Sequence, residues 1–193
     1  MEKHQQHAGS GHAGKTMYGR LAVELAVDFV IMYLVMYTMI ATLDDFYPNL
    51  NNVYMTLMMV APMAIVMLVS MRSMFPSRNA NLAIMAVAAA VFAGSFYGMR
   101  AQGAIDDEEF LRAMIPHHSG AVLIVEQASL KDPEIIELCG QIVPAQQEEI
   151  AVMKAILERI YSTRRSRLNV LDTPTPLRPP LRSTSPARKA QDY

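Results

Sequence analysis

The five histidines of this 193-residue chain fall in two places: His4, His7 and His12 near the N-terminus, and the adjacent pair His117 and His118. The pair ends the run Met114-Ile115-Pro116-His117-His118, where helical spacing brings one thioether and two imidazoles onto neighbouring positions. Such a mixture of donors suits a soft or borderline metal ion, and Cu(I) fits it better than zinc, magnesium or calcium. The 16 methionines point the same way, though more weakly, because Met is also a common apolar filler. The three N-terminal histidines lie in a stretch rich in Gly and Gln with no apolar period, so loose metal binding and a plain solvated tail are equal readings there.

The elements that must position the pair are written in the hydrophobic pattern. The chain is 52% hydrophobic, and the apolar residues gather in three runs, Leu25 to Leu43, Val53 to Met71 and Leu82 to Met99. At a rise of about 1.5 Å per residue each approaches the roughly 30 Å hydrocarbon thickness of a bilayer, which predicts three transmembrane helices. The first run is too long for a signal peptide and lacks a small-residue cleavage site. Lys3, Lys15 and Arg20 precede it, and Arg72 and Arg78 lie between the second and third runs, whereas Asp44 to Asn52 carries no basic residue. By the positive-inside tendency the N-terminus is cytoplasmic and the segment after Met99 emerges on the far side, the periplasm if the membrane is a bacterial inner membrane. Met32 and Met36 in the first run, and Met55, Met59, Met63, Met67 and Met71 in the second, recur at four-residue steps, a ladder that serves either as packing or as a path for a soft cation. Ala90, Gly94 and Gly98 form a small-residue stripe suited to close helix contact.

After the third run the pattern turns amphipathic. Phe110, Met114, His117, His118, Ala121, Val122 and Val125 recur at helical steps behind the acidic cluster Asp106 to Glu109, which suits a helix N-terminus. Asp132 and Pro133 read as the cap and first residue of a second helix through Ile135, Ile136, Leu138, Ile142, Ile150, Met153, Ile156 and Leu157, ending near Tyr161. Two antiparallel helices make a hairpin whose core needs a further wall, supplied by dimerisation or by docking on the membrane domain. Across that hairpin Met153 and Glu149 can face the Met114/His118 side, with Glu149 as an acceptor that orients an imidazole. Ile105 to Tyr161 holds eleven acidic and four basic residues, while Ser162 to Tyr193 holds seven basic and two acidic residues and five prolines, which predicts an extended, disordered tail. The lone Cys139 excludes an intramolecular disulfide.

The stretch FLRAMIPHHSGAVLIVEQASLKDPEIIELCGQIVPAQQEEIAVMKAIL resembles the domain of unknown function 305 family, which has a ferritin-like helical fold. The resemblance rests on two motifs, Met-Ile-Pro-His-His at Met114 to His118 and Gln-x-x-Glu-Ile-x-x-Met at Gln146, Glu149, Ile150 and Met153. Some members are periplasmic copper-binding proteins, and a membrane-anchored subgroup has a similar layout, so the resemblance implies Met114, His117, His118 and Met153 as metal ligands. Where relatives carry a methionine six or seven residues after the second histidine, this chain has Ile124 and Val125. The Glu-x-x-His pairs of di-iron bundles are absent, so ferroxidase chemistry is not implied.

The expected architecture is all-α: a His-containing disordered tail over 1–19, a membrane domain with three transmembrane helices over 20–100, a ferritin-like metal-binding hairpin over 104–161 and a Pro/Arg-rich tail over 162–193. The expected role is binding of Cu(I), or Ag(I), outside the cytoplasm for sequestration, hand-off or resistance. The alternative is a metal-independent assembly module whose hairpin packs with a partner. Expected partners are membrane lipid and either a second copy or another copper protein, with no nucleic acid. No nucleophile, acid–base pair or cofactor loop suggests an enzyme.

Overall fold

The computed structural model describes residues 6–172, with side chains from 16 to 168. All regular structure among these residues is helical: α1 (Gln6–Val35), two short 3-10 turns (Met36–Met39 and Leu43–Asp45), α2 (Leu50–Ser70), α3 (Arg78–Arg100), α4 (Asp107–Gln127) and α5 (Pro133–Asp172). Three segments, Thr16–Met39, Leu50–Ser70 and Arg78–Arg100, are long and apolar enough to cross a membrane. They correspond to the three apolar runs, with one shift. The first span begins nine residues before Leu25 because Leu21 is buried against Leu68 and Phe75 and Tyr18 donates a 2.7 Å hydrogen bond to Asn81 Oδ1. At its other end the apolar run outlasts the helix, and Leu43 lies in an exposed 3-10 turn.

The same anchoring explains the N-terminus. Backbone helix runs back to Gln6, within the stretch expected to be disordered, since a helix once nucleated at Tyr18 and Leu21 extends at little cost per residue. His4 and the side chains of His7 and His12 lie outside the described residues. A second departure is at the other end. Helix α5 continues past Tyr161 to Asp172, where an extended tail was expected. The Ser162, Thr163 and Ser166 hydroxyls donate to carbonyls one turn back, Arg164 pairs with Glu108 at 2.7 Å, and the first tail proline is Pro174.

Within the span bundle, Ala61, Ala64 and Ala88 let α2 and α3 approach closely. The stripe on α3 divides. A Cβ at Gly98 would meet the Tyr54 ring at 3.1 Å, whereas Gly94 has open space around it. Met59 and Met71 of the α2 ladder face outward, being 39% and 44% exposed, so the ladder is not a continuous internal path.

The hairpin begins as expected. Asp106 accepts from the Glu109 amide at 2.9 Å to cap α4, and Asp132 accepts from the Glu134 amide at 2.9 Å to cap α5. Its core is Leu111, Ile115, Ile150, Met153 and Leu157, with Tyr47 from the α1–α2 connection packed against it. Docking on the membrane domain therefore supplies part of the missing wall. The first turns of α5 do not join this core: Ile135, Ile136 and Leu138 are about half exposed, because the two helices pack at their other end.

Candidate metal centre

Helix α4 carries Met114, His117 and His118, and its 3.6-residue period sends the two imidazoles to different faces. His118 turns toward α5, where its Nδ1 lies 2.9 Å from Glu149 Oε2. The contact is short but off-axis for a ring N–H, and no acceptor satisfies that buried nitrogen with hydrogen-bond geometry. We read it as a close polar contact that a small ring rotation would align. A carboxylate at Nδ1 leaves Nε2 as the free lone-pair donor, the tautomer a metal-binding histidine needs.

One turn from each partner stand Met114 and Met153, at four-residue steps from His118 and Glu149. Met153 is 9% exposed within the hairpin core, and Met114 packs against that core from its edge. The α4–α5 seam thus gathers Met114, His118, Glu149 and Met153. His117 is not among them. It is exposed, its ring centroid is 5.9 Å from that of His118, and it lines a cavity on the opposite side of α4. Gln146 approaches Glu149 at 3.5 Å on the solvent side.

No three His, Cys, Asp or Glu side chains cluster at ligand spacing among the described residues. The donors that line the seam are one imidazole, two thioethers and one carboxylate. That donor set suits a monovalent soft ion and leaves a hard cation without enough oxygen ligands.

What ties the seam to the α1–α2 connection is a set of residues that sequence reasoning missed. Asp45 is 5% exposed; its carboxylate receives the Ser119 hydroxyl at 2.6 Å and the Thr42 hydroxyl at 3.1 Å, and pairs with Lys154 at 2.6 Å. Burial opposes its ionisation, but the Lys154 ammonium and the two hydroxyls outweigh that cost and hold its pKa below the ordinary 3.8. The Ser119 oxygen also accepts from the Ala41 amide at 2.7 Å, and Glu109 caps α2 by accepting from the Leu50 amide at 2.8 Å. The residue after the histidine pair and the residue after Met153 are therefore both tied to the α1–α2 connection. The only sequence signal was Asp44-Asp45 directly after an apolar run, which a solvated loop explains equally well.

The model of the family described as Domain of unknown function (DUF305) matches residues 95–157, which contain both motifs of the seam. An uncharacterized protein of Acanthamoeba polyphaga mimivirus is 34% identical over 119 residues, a stretch covering 61% of this chain and 76% of that relative. No solved structure matches the chain. With the end of α3, all of α4 and the seam-forming part of α5 inside the matched region, the chain belongs to the DUF305 family.

Proposed function

We propose that this protein is a membrane-anchored binding protein for Cu(I) or Ag(I), acting in sequestration, hand-off or resistance rather than catalysis. The observation that carries the reading is the placement of Met114, His118 and Met153 along the α4–α5 seam, with Glu149 at the imidazole. In this reading His118 and the two thioethers hold the ion, and Glu149 fixes the ring. The acidic hairpin raises the local cation concentration. In this reading the N-terminus is cytoplasmic and the hairpin lies in the periplasm of a bacterial inner membrane, which the basic residues of the flanks support. The uncovered residues Ile135, Ile136 and Leu138 offer a surface to a second copy or to a copper protein that receives the ion.

One observation favours the alternative assembly role: Met153 is already accounted for by core packing, so the seam is also a sound metal-free contact. Anaerobic Cu(I) competition titration of the full chain in lipid nanodiscs separates the two. One tight Cu(I) equivalent that the wild type holds and His118→Ala/Met153→Leu lacks supports the metal site. Equal, weak binding by both proteins would overturn it.

A further inference from the structure

A cavity of about 510 Å³ lies between the ends of the spans and the face of α4 turned away from the seam. Its wall contains Met36 and Met39 at the end of the first span, Met55 in the first turns of α2, Met99 in the last turn of α3, and Met114 and His117 from α4. The spans alternate in direction, so these three ends share one side of the bundle, the side that carries the hairpin. Five thioethers from four elements therefore line one cavity with one imidazole.

We propose that this cavity is a second binding site for a monovalent soft cation, Ag(I) or Cu(I), with thioether ligands from the span ends and His117 as its imidazole ligand. The proposal rests on the reading of the protein as a soft-metal binder and extends it to a site distinct from the seam. The chemistry of the wall favours such an ion. It holds no carboxylate, so a hard divalent cation lacks its ligands, and its remaining polar groups are amides, Asn52 and Gln102 among them. It holds no Phe, Tyr or Trp ring to stack on a planar or quaternary organic ligand. Position is also fixed at one ligand: Met36 Sδ sits 3.6 Å from the hydroxyl of the fully buried Thr56, whose own proton goes to the Asn52 carbonyl at 2.7 Å. His117 has no hydrogen bond or ion pair among the described residues, so its nitrogens are available.

The two sites share α4 at adjacent residues. With ring centroids 5.9 Å apart, His117 faces the cavity and His118 the seam from neighbouring faces of α4, and Met114 borders both the cavity and the seam core.

The test is Ag(I) stoichiometry and affinity on the full chain in nanodiscs, by equilibrium dialysis with elemental analysis. The wild type is expected to hold two ions per chain. Met36→Leu/Met55→Leu/Met99→Leu is expected to hold one, and His118→Ala/Met153→Leu is expected to keep the cavity ion. Wild-type stoichiometry and affinity in the triple variant would overturn the cavity site, and loss of all binding in His118→Ala/Met153→Leu alone would leave the seam as the sole site. Loss of one ion in the triple variant with no effect of the seam variant would retain the cavity and reject the seam. If the triple variant fails to fold, His117→Ala and Met99→Leu decide singly: each should weaken one ion by about tenfold or more, and no change in either would overturn the proposal.

Discussion

Lys154 on α5 meets Asp45 in the α1–α2 connection at 2.6 Å, and the carboxylate it pairs with is 5% exposed. This contact joins the hairpin to the span bundle one residue after Met153. Lys154→Ala strands a buried carboxylate with only hydroxyl partners and is expected to destabilise the protein by roughly 1–3 kcal/mol. Asp45→Asn with Lys154→Ala should cost less than the sum of the single changes, as a double-mutant cycle in thermal unfolding would read. Strict additivity would mean that the pair is not a tie.

The same group sets an acid limit. A carboxyl whose folded pKa lies below its unfolded value contributes stability that is complete above the unfolded value and disappears as pH falls through the folded one. Asp45 is of this kind, with an ordinary value of 3.8. Stability should thus hold its Asp45-dependent part above about pH 4 and lose it on further acidification. Asp45→Asn should remove that part of the acid transition; an unchanged profile would show that other groups govern it.

Glu149→Gln keeps size and removes charge at a side chain that is 54% exposed. Thermal stability is expected to move by no more than about 0.5 kcal/mol, while Cu(I) affinity at the seam should fall about 10- to 100-fold through the loss of imidazole orientation. Affinity that stays level would remove Glu149 from the site.

Gly120 follows Ser119 where α4 passes the end of the first span. A Cβ there would lie 3.3 Å from the Met39 carbonyl oxygen, a backbone atom that cannot swing aside. Gly120→Val should cost roughly 1–3 kcal/mol and should speed hydrogen exchange at the Ala41 amide, which donates to Ser119 Oγ at 2.7 Å. An Ala41 amide as protected as in the wild type would refute the close approach.

The link between α3 and α4 holds two non-glycine residues in the left-handed region, Gln102 at φ 50° and Ala104 at φ 57°. Gln102 offsets its strain with a 2.7 Å side-chain bond to the Met99 carbonyl, but Ala104 is exposed and has no such compensation. Ala104→Gly is expected to stabilise the protein by about 0.5–1 kcal/mol, measured as a raised melting temperature.

The spans, the hairpin and its caps were legible in the sequence because each follows from a local rule: unbroken apolar runs for the spans, a 3.6-residue stripe for α4, and Asp132-Pro133 for the start of α5. Met114, His118, Glu149 and Met153 were also legible as one face, since their four-residue steps survive into the fold. The separation of His117 from that face was not, because adjacent helical positions diverge and only the neighbours decide where each points. Asp45, Ser119 and Lys154 left no trace in any periodic pattern; a polar tie between distant segments has no local signature. The length of α5 was misjudged because the basic, proline-bearing tail was read from its composition, and the described helix runs to Asp172.

Tyr47 closes one side of the Leu111, Ile115 and Leu157 core from a connection that belongs to the spans. An excised fragment starting near residue 104 would therefore be a different object, with its core opened to water and the membrane-side thioethers gone. Span bundle and hairpin are instead expected to melt together, and detergents that loosen the span ends should be felt in the hairpin's helicity.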